Sequence, residues 1–315
     1  MSVCFGLSET NSVMGSRRVH WLAVATAGSA FLLIVAGALV TSRDAGLAVP
    51  DWPLAFGELN PPRWWQIENV RTEHGHRIIA FLVASLTAFL AWSVRRVETR
   101  PAVRSLAAAA AGLVVLQALL GGLRVLALSV DLAMVHGWLG QMFFATLVSL
   151  AVVTSPTWTT TSSFPTDRRT RNIALLFVGG VVTQLVVGIV LRHLGASARP
   201  LMENGLFYVH VVAGLAVAAL TFALRQSTNG NVRLRRTATW GCVLVCAQIA
   251  LGLVTFLVTE TMQYDRQATF AEAWIPTLHV AVGAGLLAVA MSSVLVAWRD
   301  SLPFDARPLA ADQTR

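Results

Sequence analysis

An all-α integral membrane protein, with eight transmembrane helices as two parallel-repeat four-helix bundles, is the fold class that three observations predict. The 315 residues are 55% hydrophobic and only 13% charged, which is too apolar for a soluble globular chain of this length. Runs of about 20 apolar residues, enough to cross the hydrocarbon of a bilayer as helix, can be drawn eight times. A polar linker, SPTWTTTSSFPTDRRTR from Ser155 to Arg171, cuts the chain into two halves of four runs each, 1–160 and 161–315.

In chain order the predicted spans cover Trp21 to Thr41, Arg77 to Val97, Val103 to Leu123 and Leu132 to Thr154, then Asn172 to Leu191, Leu206 to Leu224, Thr239 to Val258 and Ala273 to Trp298. The first follows Arg17 and Arg18 but is too long for a signal-peptide core and has no clear small-residue cleavage site after it, so it is read as retained. Most connections are short. The outer segment from Ser42 to Thr72, SRDAGLAVPDWPLAFGELNPPRWWQIENVRT, is the long one. The halves resemble one another weakly: GALVTSRDAG from Gly37 pairs with GIVLRHLGAS from Gly188, and QALLGGLRV from Gln117 with QIALGLVTF from Gln248. An even number of spans per half makes such a repeat parallel.

The formal charge of +8 comes from arginine alone. Arg17, Arg18, Arg95, Arg96, Arg100, Arg104, Arg168, Arg169, Arg171, Arg225, Arg233, Arg235, Arg236 and Arg299 fall on one side of the predicted membrane. Arg43, Arg63, Arg71, Arg77, Arg124, Arg192, Arg199 and Arg266 fall on the other. The positive-inside rule then puts both termini in the cytoplasm of a cell or inner membrane. The charge reports topology, and no nucleic-acid patch is implied. Cys4 lies in the N-terminal tail, while Cys242 and Cys246 sit one helical turn apart in the seventh span. That spacing is neither a zinc knuckle nor a redox pair, and buried small hydrophobes is the expectation.

Topology also sorts the histidines. Each even-numbered span starts on the outer side, and His76, His136, His210 and His279 fall early in the four of them, at similar depth. Imidazoles inside hydrocarbon are expensive and mark function. Two facing each other across a four-helix bundle can hold a heme iron in six-coordination. Two bundles then imply two heme sites, whereas zinc lacks third and fourth ligands at suitable spacing. His20 reads as a snorkelling interfacial residue. His193, after Arg192, either meets a heme propionate or sits in solvent.

The mouth of the second span, TEHGHR, carries Glu73, His74, His76 and Arg77. On a helix Glu73 and His76 share a face, and His74 is directed away, toward Arg77. Glu73 otherwise caps the helix or pairs with Arg77 at i,i+4. Three residues before His210 the second half has Phe207, so only one site has a carboxylate beside its ligand. The two sites should therefore do different work, chemistry in one and electron transfer in the other.

The ordered set of the GLAVPDWPLAFG stretch, the ExxHR of Glu73, His76 and Arg77, and the later His136, His210 and His279 resembles the heme A synthases, membrane enzymes of cytochrome oxidase assembly. The resemblance implies oxidation of a methyl group of heme O to the formyl group of heme A. It implies heme b as cofactor between His210 and His279 in the second half, the substrate heme between His76 and His136 in the first, and Glu73 as catalytic carboxylate. Arg77 and Arg192 are candidates for propionates, and Asp51 and Trp52 for covering the substrate edge or simply shaping a turn and an interfacial anchor. Heme O synthase (the farnesyltransferase) and a second copy of the chain are partners compatible with it. Many members of that family carry a cysteine pair where this sequence has Val49 and Ala55, so thiol chemistry in that loop is put in doubt. A non-catalytic membrane heme carrier and a bis-histidine b-type cytochrome are the alternatives, and the one-sided carboxylate argues against both. A solute transporter is disfavoured by the lack of paired helices broken by Gly or Pro.

Overall fold

The computed structural model describes residues 3–158, 165–194, 201–228, 230–261 and 267–301, with side chains from Arg17 onward and Leu194 excepted. Cys4, Arg199, Arg266 and part of the inner linker carry expectations that lie outside the residues or side chains described. Within the described residues the chain forms eight long helices: α1 (Val3–Ser42), α2 (Glu68–Val97), α3 (Pro101–Leu126), α4 (Val130–Val153), α5 (Arg168–Leu194), α6 (Gly205–Gln226), α7 (Val232–Glu260) and α8 (Phe270–Ser301). All eight are long and apolar enough to cross a membrane. The chain is a multi-pass membrane protein, and helix is the state that satisfies every backbone amide without water.

The helix ends follow from local chemistry. Pro101 opens α3, where its missing N–H costs nothing. Ser129, Asn204 and Asn231 cap α4, α6 and α7 with side-chain acceptors for Leu132, Leu206 and Leu234 N–H. Inside the spans several hydroxyls return to the backbone one turn earlier, as Thr26 to Leu22 and Thr87 to Val83 do, which satisfies their donors without water; Thr255 Oγ1 of α7 is buried without a partner.

Neighbouring helices close each half into a ring: α1–α2–α3–α4–α1 and α5–α6–α7–α8–α5. The two rings meet where α8 packs on α1 and α4, and where α4 meets α5. The apolar interior divides accordingly. One cluster gathers Val83, Leu90, Val114, Phe143 and Leu147 of the first half, the other Phe177, Val217, Leu234, Val245 and Leu287 of the second. Ala284 of α8 joins the first cluster and Ala145 of α4 the second; these small residues let the rings approach. Many large apolar side chains, among them Phe81, Phe89, Leu176, Leu215 and Leu253, point outward, which suits a lipid face. Cys246 is exposed and Cys242 only half-buried, so burial in the core is not what places this pair. In a membrane an apolar side chain has no need of the interior.

Candidate functional site

Four histidines are set on α2, α4, α6 and α8, and each ring lies over a glycine of the preceding helix. A Cβ built on Gly37 would fall 3.1 Å from His76 Cε1, on Gly121 3.2 Å from His136, on Gly188 3.1 Å from His210, and on Gly252 3.2 Å from His279. Only a residue without a side chain lets the imidazole lie this close to the neighbouring helix. The same histidine-over-glycine contact therefore occurs four times, once in each helical hairpin.

In the second half the His210 and His279 ring centroids are 6.2 Å apart. Two imidazole nitrogens each about 2 Å from one metal, on opposite sides, would put ring centroids about 6 Å apart. In the first half His76 and His136 lie within electrostatic reach of each other and of Arg124. Nδ1 of all four rings is buried without a hydrogen-bond partner. Among the described residues no three of His, Cys, Asp and Glu gather as a metal-binding cluster. The residues present thus fit a planar cofactor ligated by two histidines better than a bare ion held by three or four ligands.

Glu73 and Arg77 form the ion pair at i,i+4, with Arg77 Nη2 donating to Glu73 Oε1 at 2.6 Å. The other carboxylate oxygen accepts from Val49 N–H at 2.9 Å. Arg77 also donates to three loop carbonyls, Val49 at 3.0 Å, Asp51 at 2.7 Å and Leu54 at 3.1 Å. Its guanidinium ties the 43–67 loop to α2. The expected partnership of His74 with Arg77 gives way to that of Glu73. His74 is instead buried against Trp64, ring centroids 5.0 Å apart, with neither nitrogen partnered.

The loop is folded over the first half. Val49 and Ala55, both almost fully buried, pack with Val70 in a small apolar cluster; contact between these side chains occupies the two positions where the resembling family carries cysteines. Asp51 accepts from Phe56 and Gly57 N–H, each at 2.7 Å, which makes a turn. Trp52 sets its ring directly on Gly122 of α3, where no Cβ would fit. Gly121 and Gly122 therefore seat His136 and Trp52 side by side.

Arg192 reaches across to α1, donating to Ala38 O at 2.8 Å and Ser42 Oγ at 2.6 Å, and Ser42 in turn meets Thr277 of α8 at 3.1 Å. It joins the two rings near His279. His193 bonds Ile189 O through Nδ1 at 2.9 Å and lines an outer cavity of about 170 Å³ with Arg124, Asp44 and Gly46. His20 bonds Ala151 O at 3.0 Å at the opposite end of the bundle. Sequence reading missed Arg124, which donates to Gly46 O at 2.7 Å and faces both first-half histidines. Its signal was a lone cation after the GG of α3, and nothing local told that it turns inward.

Residues 4–148 match the family model described as cytochrome oxidase assembly protein, COX15-CtaA. The chain is 35% identical over 261 residues to the heme A synthase of Shouchella clausii, an alignment covering 74% of this chain and 82% of the relative. It is 26% identical over 147 residues to that of Lysinibacillus sphaericus (44% and 46% covered) and 34% identical over 134 residues to that of Hyphomonas neptunium (39% and 37%). With the four histidine-over-glycine contacts and the ExxHR of α2 in place, the chain belongs to the heme A synthase family.

Proposed function

We propose that this protein is an oxidoreductase of heme A biosynthesis that converts the methyl group of heme O to a formyl group. The observation that carries the reading is the pairing of two bis-histidine sites in one chain, only one of which has a carboxylate beside its ligand. Balanced with water as oxygen donor, the change is R–CH3 + H2O → R–CHO + 4 H+ + 4 e−, so the site must release four protons and pass four electrons, one at a time, to an external one-electron acceptor. His76 and His136 would bind the substrate heme in the first half. His210 and His279 would hold heme b, which supplies one-electron transfer when bound.

The chain's own residues then have distinct tasks. Gly37 and Gly121 let the ligand rings lie against α1 and α3. Trp52 and the 43–67 loop cover the outer edge of the first half and exclude water, which strengthens any charge acting there. Glu73, one turn before His76, is the carboxylate nearest the ligand and would accept a proton or stabilise positive charge developing at the reacting carbon. A second role for Glu73 is favoured by its two oxygens, which accept from Val49 and Arg77: it fastens the loop. Glu73→Gln separates the two when loop hydrogen exchange is read beside heme A formation, because it also leaves Arg77 without its charged partner. It keeps an acceptor for the loop while removing the charge, so heme should still bind while heme A formation falls by about 10²–10⁴-fold, the usual scale of a general base. His74→Ala should leave heme A formation close to wild type, because its ring faces Trp64. Pigment extraction and mass analysis, with and without a source of heme O, read both outcomes; normal heme A output from Glu73→Gln would leave only the fastening role.

Orientation is part of the proposal. Both termini are placed in the cytoplasm, with the heme-facing histidines toward the outer side, on the arginine distribution. Reporter fusions after Arg96 and after Leu128 should signal inside and outside respectively, and the reverse pattern would invert the protein.

A further inference from the structure

At the linker end of the bundle, away from His76, His136, His210 and His279, the two rings do not close on each other. They meet where α8 packs on α1 and α4 and where α4 meets α5. Among the described residues α7 packs on α6 and α8 and makes no comparable contact with α1 or α4. A cavity of about 450 Å³ lies in that gap, lined from α1, α4, α7 and α8 and from the start of the linker. The volume is that of a small-molecule site. It is separate from the histidine sites, since Ala27, which lines it on α1, lies ten residues before Gly37, about 15 Å along the helix.

The lining is divided in its chemistry. Val24, Ala27, Val148, Ala151, Val152 and Val296 make an apolar wall, which between Val148 and Ser155 runs about 10 Å along α4. The mouth carries Arg233, Arg236 and Arg299 with His20, and no aspartate or glutamate stands among the described residues that line it. Arg299 is met from outside the lining: its Nη1 donates to Asp300 at 3.1 Å, and its guanidinium lies over Trp158, 5.4 Å from the ring centroid. His20 is engaged through Nδ1 with Ala151 O at 3.0 Å. Asp300 thus offsets one of three arginines, and the lining stays cationic. Arg236 is exposed and directs its charge at the mouth from the second turn of α7. The first turn of that helix has no acidic residue, and cations near the positive end of a helix dipole are unfavourable unless an anion meets them.

We infer that this cavity binds one anionic phospholipid, its phosphate at Arg233 and Arg236 and one acyl chain along the valine and alanine wall between the rings. Basic pockets between transmembrane helices take such headgroups. A hydrophilic anion has no use for the apolar wall, and a zwitterionic lipid brings its own cation to a mouth already cationic. The bound lipid fills the seam that α7 leaves and joins the two halves at the end away from the paired histidines.

The test uses the full-length protein, stripped of lipid in mild detergent and titrated with phosphatidylglycerol or phosphatidylcholine while native mass spectrometry counts bound lipid. One phosphatidylglycerol per chain should bind saturably, about tenfold more tightly than phosphatidylcholine, and millimolar inorganic phosphate should not displace it. Arg236→Gln should weaken binding about fivefold, and Arg233→Gln with Arg236→Gln about 25-fold, the scale of arginines at an anionic lipid surface. Arg95→Gln with Arg96→Gln removes the same charge from the end of α2, outside the cavity, and should leave affinity within about twofold, because a distant surface charge is screened. Val24→Trp keeps every arginine and fills the cavity, so it should abolish the saturable binding; it decides the matter should the double arginine variant fail to fold. Equal affinity for the two lipids, an equal loss from the α2 pair, or unchanged binding by Val24→Trp would each overturn the site. Displacement by phosphate would assign the mouth to a free anion and overturn the lipid.

Discussion

The histidine-bearing ends of the two halves share a framework and differ in what surrounds it. In both, an imidazole lies over a glycine of the neighbouring helix, so close that a Cβ on Gly37 or Gly188 would fall 3.1 Å from His76 or His210 Cε1. Three residues earlier the first half has Glu73 and the second Phe207; one residue later they have Arg77 and Val211. The first-half pair binds a loop through four hydrogen bonds, beside the Glu73–Arg77 bond within α2. Phe207 instead stacks on Phe256, centroids 5.1 Å apart, and touches Tyr208 edge-on. The histidine-over-glycine contact alone thus says where a planar cofactor can be ligated. What surrounds the histidine separates a charged, roofed end from an aromatic one, and on the proposed reading the first suits proton movement and the second a held cofactor.

Removing the ligands breaks the comparison most severely. His210→Ala or His279→Ala should abolish the low-spin heme absorbance assigned to the second half, while His76→Ala should leave that absorbance intact. Visible spectra of the purified variants would show it. A normal second-half spectrum in both His210→Ala and His279→Ala would remove the distinction between resident and substrate sites.

Arg77→Gln attacks the asymmetry directly. Arg77 and Glu73 are both largely covered, with side chains 19% and 5% exposed. Removing one partner of a buried pair costs about 3–5 kcal/mol, because the other charge is left uncompensated. The loss should be local: hydrogen exchange in the 43–67 loop should rise sharply while α6 to α8 stay protected. Unchanged loop protection would mean that the apolar cluster of Val49, Ala55 and Val70 holds the loop without the ion pair.

How much of this was legible follows from the range of the forces involved. The eight spans lie within the observed helices apart from Thr154, one residue past the end of α4, because uninterrupted apolar length is a local property. The depth of His76, His136, His210 and His279 follows from span polarity, and the i,i+4 partnership of Glu73 and Arg77 from helix geometry. The i+3 spacing permits a contact between His74 and Arg77, but the carboxylate of Glu73 at i−4 competes more strongly for the guanidinium. Trp52 on Gly122 and Arg124 on Gly46 join residues that local periodicity does not relate. Each depends on a glycine whose role appears only when the partner is in place.

The smallest expected effect concerns Asp51 at the loop tip. Hydrogen bonds from Gly57 N–H and then Phe56 N–H hold its carboxyl below the usual value of 3.8, partly opposed by desolvation and helped slightly by the Arg77 charge. A carboxyl whose folded pKa is depressed supports the fold fully above its unfolded value, and that support is lost as pH falls through the lower folded value. The turn should therefore be indifferent to pH from neutrality down to about 4 and loosen only below it. Asp51→Asn keeps one acceptor oxygen for two amide donors and does not titrate, so its turn should be slightly looser at neutral pH and show no acid step. A nitroxide label at Glu58, whose backbone pairs with Ala55, would report mobility by paramagnetic resonance across that range. The same acid-induced loosening in Asp51→Asn as in the parent protein would assign the step to another group, and the tip of the loop would then rest on Arg77 and the Trp52–Gly122 contact.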